Sequence, residues 1–129
     1  MKFVELSDSE REVMEVLWEK KEPMSFAELL SYFDTCTEKN WKKQTLNTFL
    51  FRMQQKGLLE VIQEGTYRHY VPSMTREEYR LEESKAFLDR NYEGSIIKML
   101  TAFNGGEALE KDELHELQKL LGDWEKEWN

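Results

Sequence analysis

Residues 42–72 read KKQTLNTFLFRMQQKGLLEVIQEGTYRHYVP and constrain the fold more than any other segment of the chain. The first half carries apolar residues at intervals of three and four, the spacing of a helix that packs one face on a core. These residues are Leu46, Phe49, Leu50 and Met53. Gly57 marks the end of this helix, and strand-forming runs follow at 58–62 and 67–71, joined by a turn at 63–66. A helix followed directly by a β-hairpin predicts a winged helix-turn-helix, which can place one helix in a DNA major groove.

The opposite face of the same helix is mainly polar. At about 100° per residue, this outer face consists of Gln44, Asn47, Thr48, Phe51 and Gln55. Gln and Asn can bind adenine through two hydrogen bonds, and a Thr methyl can contact a thymine methyl, so we expect Gln44, Asn47 and Thr48 to contact bases. Phe51 has three interpretations: it packs on the wing, contacts a thymine methyl, or flanks the core. The predicted phosphate contacts are Lys42, Lys43, Arg52 and, on the wing, Arg68.

The charge of the chain is divided unevenly along its length. The net charge of −8 argues against a general nucleic-acid binder. Residues 39–76 nevertheless hold seven basic and two acidic residues, a local charge of +5, whereas residues 77–129 hold seven basic and fourteen acidic residues. A basic segment attracts phosphates, and an acidic remainder keeps the rest of the protein away from DNA.

Helix starts are marked by three capping boxes, in which a hydroxyl and a glutamate three residues later satisfy free backbone N–H groups. They begin at Ser7, Ser25 and Thr75. We predict helices ending near residues 20, 34, 56, 92, 103 and 128. The expected fold is mainly α with a small β-hairpin wing, comprising an N-terminal winged helix-turn-helix and a C-terminal helical dimerisation region. The predicted domains are residues 1–73, which bind DNA, and residues 74–129, which dimerise.

The predicted C-terminal helices carry apolar stripes that need a partner. The last helix has leucines and tryptophans at spacings of three and four, as in a coiled coil. This helix either folds back on its own chain or pairs with a second copy, and we favour the dimer because small DNA-reading modules commonly act as two-fold pairs. The predicted dimerisation residues are Leu81, Leu88, Tyr92, Ile96, Leu100, Leu114, Leu117, Leu121 and Trp124.

Several other classes of protein do not fit this chain. It has no apolar run of membrane length and no N-terminal signal, so we expect no membrane insertion and a cytoplasmic location. Cys36 is the single cysteine and is interpreted as a core or helix-end thiol. His69 and His115 lack the spacing of metal ligands, and no nucleophile–base pair or phosphate-binding loop is present. We therefore predict no metal, no cofactor and no enzymatic activity.

The order of these elements, together with several short runs, resembles the BlaI/MecI-type penicillinase repressor family. The similarity extends from Leu6 to about Leu121. It is carried by LSDSEREVMEVLWEK at residues 6–20, Trp41, residues 45–48, Arg52, and the runs at 56–58, 67–70, 84–87 and 109–114. The resemblance implies homodimers with an N-terminal winged helix that bind inverted-repeat operators in double-stranded DNA and repress resistance genes. It adds Thr45 to the predicted DNA contacts.

The resemblance also implies a signalling partner. In antibiotic-responsive members, a membrane sensor with a zinc protease domain signals β-lactam, and the repressor is cut in its dimerisation region. The scissile bond of the staphylococcal members is Asn-Phe, whereas the matching pair here is Ala102 and Phe103. We favour a core role for Phe103, at the end of a helix, over a role in cleavage.

The helix predicted to contact bases, at residues 42–56, departs from the family pattern as well. Members often carry Ser-Pro-Lys and an Arg where this chain has Lys42-Lys43-Gln44 and Asn47. The less basic helix predicts a different operator sequence or affinity. A sequence-specific repressor is therefore the expected function, and an acidic winged-helix module that docks on proteins without specific DNA binding is the alternative.

Overall fold

The computed structural model describes residues 3–106 and 109–128. The helices are α1 Asp8–Lys20, α2 Phe26–Thr35, α3 Lys43–Gln55, α4 Arg76–Tyr92, α5 Ile96–Gly105 and α6 Lys111–Trp128. The strands are β1 Met24–Ser25, β2 Leu59–Glu64 and β3 Tyr67–Pro72. Within the described ranges, no helix is both long and apolar enough to cross a lipid bilayer.

The helix starts follow from local hydrogen bonding. Ser7 and Glu10 form a complete capping box on α1, and Ser25 and Glu28 form one on α2. The Thr75 hydroxyl accepts from the backbone N–H of Glu78, whose carboxylate accepts from the backbone N–H of Thr75, each at 3.0 Å. These reciprocal bonds satisfy donors that a helix start would otherwise leave free, and they confirm the three predicted starts.

The sheet has three antiparallel strands in the order β1-β3-β2, one more than the predicted hairpin. The additional strand, β1, pairs Met24 with Tyr70 and Ser25 with His69. The β2–β3 turn is tighter than predicted, because pairing continues to Glu64 opposite Tyr67 and leaves Gly65 and Thr66 as the two turn residues. Gly65 has φ +63°, the left-handed conformation that its position predicted.

The first compact unit ends at Glu83 and contains the hydrophobic core. The helices contribute Val13, Met14, Leu17, Leu29, Phe33, Leu46, Leu50 and Met53 to this core. The first turns of α4 belong to it as well, because Tyr79 is buried and its hydroxyl donates to the Val4 carbonyl at 2.9 Å. The indole N–H of Trp18 donates to the Met74 carbonyl at 3.0 Å.

The second compact unit begins at Ser84, inside α4. The sequence predicted this boundary after residue 73, before α4. The structure places it later because Tyr79, in the first turns of α4, packs in the core of the first unit. In this second unit, none of the described residues of α5 and α6 is buried.

Candidate nucleic-acid interface

Helix α3 presents two faces of opposite character. Its inner face is buried through Leu46, Leu50 and Met53, and Phe49 is partly buried against the same core. Its outer face is open to solvent, and the side chains exposed there are Gln44, Asn47, Thr48, Phe51 and Gln55. The polar groups predicted to contact bases therefore point away from the protein, as contact with a large partner requires.

An aromatic cluster fixes the segment that connects α2 to α3. The Trp41 ring lies 4.4 Å from the Phe33 ring and 5.0 Å from the Phe49 ring, measured between centroids. Trp41 joins the end of α2 to the inner face of α3, because it contacts one residue of each helix. It entered the sequence analysis only through the family resemblance, and its packing explains its place there.

The start of α3 differs from the capped starts of α1, α2 and α4. Lys42 occupies the N-cap position without a side-chain hydrogen bond to the helix, and the first turn holds no acidic residue. The free N–H groups and the positive end of the helix dipole are therefore open to an anion. Lys42 and Lys43, both exposed, add two positive charges at the same place. This arrangement suits a DNA phosphate.

The basic residues of the segment fall into two groups. Three of them pair with carboxylates of α1: Lys39 with Glu12 at 3.7 Å, Lys56 with Glu10 at 2.8 Å, and Arg76 with Glu15 at 2.8 Å. Within the described part of the chain, the other four form no ion pair, and these are Lys42, Lys43, Arg52 and Arg68. The formal local charge of +5 therefore overstates what is available to DNA. The four unpaired cations are the same four that the sequence assigned to phosphates.

The Glu10–Lys56 pair fixes the end of α3 against the start of α1. Lys56 is the C-cap residue of α3, and its ammonium group donates to both carboxylate oxygens of Glu10, at 3.0 and 2.8 Å. Burial alone would raise the pKa of Glu10, but hydrogen bonds from Lys56 and Ser7 and the Lys56 charge hold the pKa below its ordinary value of 4.5. The sequence marks Glu10 only as part of a capping box, and a partner 46 residues away leaves no local pattern.

Two threonines of α3 have more limited roles than their positions suggested. The Thr48 hydroxyl donates its proton to the Gln44 carbonyl at 2.9 Å, so it can offer a base only its methyl group or an acceptor lone pair of its oxygen. Thr45 is half-buried, at the edge of the outer face rather than on it. The outer face therefore offers the amide side chains of Gln44, Asn47 and Gln55, the Thr48 methyl group and the Phe51 ring.

The wing places its polar residues beyond the core. Arg68 is exposed near the tip and pairs across the ladder with Gln63. The half-buried His69 lies opposite Ile62, and its ring centroid is 6.4 Å from that of Tyr67. In the described residues, no group of three or more His, Cys, Asp or Glu side chains is arranged to hold a metal ion. Cys36 is exposed at the C-cap of α2, which fits the helix-end interpretation.

The C-terminal helices present a separate, apolar surface. The residues predicted for dimerisation are exposed or half-buried in a single chain, among them Ile96 at 58%, Trp124 at 50% and Leu121 at 48%. A groove of about 610 Å³ between α5 and α6 is lined mainly by leucines and Phe103. Phe103 is 36% exposed, so it is not the core residue that the sequence suggested, and the Ala102–Phe103 bond lies within α5.

Comparison with known proteins agrees with this architecture. The sequence profile of the penicillinase repressor family matches residues 6–123. The chain is 31% identical to the penicillinase repressor of Bacillus licheniformis over 120 residues, which is 93% of this chain and 91% of that protein. It is 26% identical to the methicillin resistance regulatory protein MecI of Staphylococcus aureus over 121 residues, covering 93% and 95% of the two chains.

Solved structures match the N-terminal part. The solution structure of the DNA-binding domain of the repressor BlaI is 31% identical, with a TM-score of 0.52 over 60% of this chain and 92% of that one. The Bacillus licheniformis BlaI monomer, solved with the blaP half-operator, is 29% identical, with a TM-score of 0.51 and the same coverage. The family consists of transcriptional repressors rather than enzymes. Membership in it also argues against the alternative function, a protein-docking module without specific DNA binding. With a winged helix and a matching profile over nearly its whole length, the chain belongs to the penicillinase repressor family and is a DNA-binding transcriptional repressor.

Proposed function

We propose that this repressor binds an inverted-repeat operator as a homodimer, with α3 of each copy in the major groove. The observation that carries the proposal is the outer face of α3, which is exposed, mainly polar and flanked by cations that form no ion pair among the described residues. Gln44 and Asn47 bind base edges through their amides, and Thr48 offers its methyl group. Thr45 contributes from the edge of this face.

The four unpaired cations position the protein on the sugar–phosphate backbone. Lys42 and Lys43 meet a phosphate at the start of α3, and Arg52 and Arg68 contact the backbone from the end of α3 and from the wing. Such contacts add affinity for any sequence, and base contacts supply the preference for one sequence. The solved complex of the Bacillus licheniformis relative with a half-operator supports DNA binding by this part of the fold.

The dimer is proposed from the unburied apolar residues of the C-terminal helices. The leucines and aromatic residues exposed on α4, α5 and α6 form more apolar surface than a monomeric protein usually leaves open to solvent. A second copy with the same surface would cover them. A two-fold pair would then present two copies of α3 to two half-sites. Losing this contact would weaken operator binding, because two linked contacts would become two independent ones.

The signal that releases the repressor is proposed from the relatives. Their names connect them with penicillinase and methicillin resistance, so a β-lactam-type resistance operon is the proposed target. A membrane sensor protease that cuts between Ala102 and Phe103 is the corresponding release mechanism. Cleavage there requires local unwinding of α5, because proteases bind extended chains. A repressor acts where its DNA is, so the cytoplasm is the proposed compartment.

The test is fluorescence anisotropy on the DNA upstream of the gene for this chain, against a scrambled duplex, at two salt concentrations. We expect saturable binding of one dimer per site with at least about a hundredfold preference over scrambled DNA. Equal, weak binding to both duplexes that moderate salt abolishes would contradict the proposal.

Two substitutions separate the roles of the residues. Asn47→Ala should relax preference at one base pair and cost roughly 1–3 kcal/mol of binding free energy. Lys43→Ala should weaken binding to all sequences alike and lower the salt slope by about 0.9 per copy. An Asn47→Ala protein with unchanged sequence preference would show that the assigned base contacts are wrong.

The proposed dimer has its own measurement. Sedimentation equilibrium should give a mass of two chains for the unmodified protein and of one chain for Leu121→Glu, which places a charge on the apolar stripe of α6. Because Leu121 is 48% exposed in a single chain, this substitution should leave the helix content unchanged. A monomeric unmodified protein at micromolar concentration would exclude the dimer.

A further inference from the structure

Phe51 is an exposed aromatic side chain on the outer face of α3. Its side chain is 58% exposed, although the neighbouring Phe49 is packed on the core. Phe51 lies seven residues after Gln44, which is nearly two helical turns, so the two side chains project in the same direction. Asn47 and Thr48 precede it by four and three residues and share its surface.

The structure argues against a core position for Phe51 and shows no contact between its ring and an aromatic residue of the wing among the described residues. It is not among the partly buried apolar residues that pack against the core in the described ranges. Over the same residues, its ring makes no contact with an aromatic residue of the wing, where Tyr67 pairs with His69 instead. The exposed ring is therefore part of the surface that meets the partner of α3.

The chemistry of the major groove identifies what this ring would contact. Base pairs present hydrogen-bond donors and acceptors there, and the one apolar group among them is the C5-methyl of thymine. A phenyl ring cannot form the amide-type hydrogen bonds of Asn47, but it can remove a methyl group from water by packing on it. We propose that Phe51 contacts a thymine methyl and is a specificity-determining residue of this repressor.

The position of Phe51 also limits where that thymine lies. Four residues of helix separate Phe51 from Asn47, a rise of about 6 Å, and base pairs are about 3.4 Å apart. The thymine should therefore lie within about two base pairs of the base that Asn47 contacts. This inference rests on the proposed contact between the outer face of α3 and bases.

The experiment starts with a selection from a randomised duplex library, using the full chain and its Phe51→Ala variant in parallel. The unmodified protein should enrich a thymine at one position of each half-site, and the variant should lose preference at that position alone. Each enriched thymine is then replaced by deoxyuridine, which removes the methyl group and keeps every hydrogen-bonding group. At one position of the half-site, a single replacement should weaken DNA binding by the unmodified protein three- to fivefold, the effect of about one buried methyl group. The same replacement should leave DNA binding by Phe51→Ala unchanged.

Matched variants show that the effect belongs to Phe51. Phe51→Leu should keep most of the discrimination between thymine and deoxyuridine, because it keeps an apolar side chain there. Asn47→Ala should bind more weakly but discriminate as the unmodified protein does. Because Phe51 is exposed, its variants should unfold at the temperature of the unmodified protein.

The outcomes separate this inference from the proposal beneath it. If a sequence is enriched but no deoxyuridine replacement affects the unmodified protein, Phe51 does not contact a thymine methyl. Equal losses in the unmodified protein and in Phe51→Ala would also overturn the inference, since the methyl would then be sensed by another residue. If no duplex is enriched, sequence-specific binding itself fails, and this inference fails with it.

Discussion

The Glu10–Lys56 pair should be the strongest single electrostatic contact that holds α3 in place. Its perturbation is Lys56→Met, which keeps the length of the side chain and removes its charge. Glu10 is 3% exposed, and the variant would leave one of its carboxylate oxygens without the partner that the ammonium group provides. Removing one partner of a fully buried pair costs about 3–5 kcal/mol. Because the Lys56 side chain is 40% exposed, we expect about 2 kcal/mol.

This cost should depend on pH in a defined direction. The pKa of Glu10 is lowered in the folded protein, so the pair contributes stability above the ordinary value of 4.5 and loses it as the pH falls through the folded pKa. In Lys56→Met, burial acts on Glu10 without the opposing ammonium group and favours the protonated acid. The difference in unfolding free energy between the two proteins should therefore narrow as the pH is lowered through 4.5.

The assay is urea unfolding at pH 7 and pH 4, with a matched substitution at an exposed pair as the control. Lys98 pairs with Glu93 where their side chains are 57% and 80% exposed, so Lys98→Met should cost about 0.5 kcal/mol or less. The reasoning would be refuted if Lys56→Met cost no more than Lys98→Met at pH 7. A difference that stayed constant down to pH 4 would refute the assigned role of Glu10.

Three further predictions concern the first unit and its surface. Tyr79→Phe removes the donor to the Val4 carbonyl and should lower the unfolding free energy by about 1 kcal/mol in urea titration. Gly65→Ala should cost about 1–2 kcal/mol in the same titration, because φ is +63° and the added methyl would touch nothing within 4 Å, so the cost is conformational. Lys39→Ala should change the salt slope of DNA binding much less than Lys43→Ala, because the Lys39 ammonium is already paired with Glu12. Equal slope changes would show that this pair does not persist beside DNA.

Local signals account for most of what the sequence predicted correctly. The starts of α1, α2 and α4 follow from capping boxes that span four residues, and Gly57 and Gly65 mark the end of α3 and the wing turn. The inner face of α3 follows from apolar spacing alone. Each of these signals lies within a few residues of the structure that it specifies, so a single sequence contains it.

The features that the sequence did not predict depend on residues that are distant in the chain. Strand β1 has two residues, too few for any periodicity, and it exists because β3 offers a free edge. The Glu10–Lys56 pair joins positions 46 residues apart, and Tyr79 reaches back 75 residues to Val4. Neither contact leaves a local pattern. Counting charges along the chain therefore gave the correct sign for the basic segment but too large a value.

The outer face of α3 was predicted in outline but not in detail. Its exposed polar residues follow from helical spacing, whereas the commitment of the Thr48 hydroxyl to the Gln44 carbonyl depends on a side-chain rotamer. Phe51 could not be assigned by spacing, because an exposed position and a position at the edge of the core differ by a small rotation. Its exposed fraction of 58% in the structure separates these two cases.

The ion pairs between α1 and the basic segment affect how the repressor is distributed over a genome. A genome offers roughly a million or more non-operator sites that compete for the protein, and affinity for them rises with each cation that is free to displace a counterion. By neutralising Lys39, Lys56 and Arg76, the carboxylates of α1 lower that background affinity and leave the outer face of α3 unaltered. A helix that contacts no base in the proposed complex would therefore help to determine how many molecules remain available to occupy the operator.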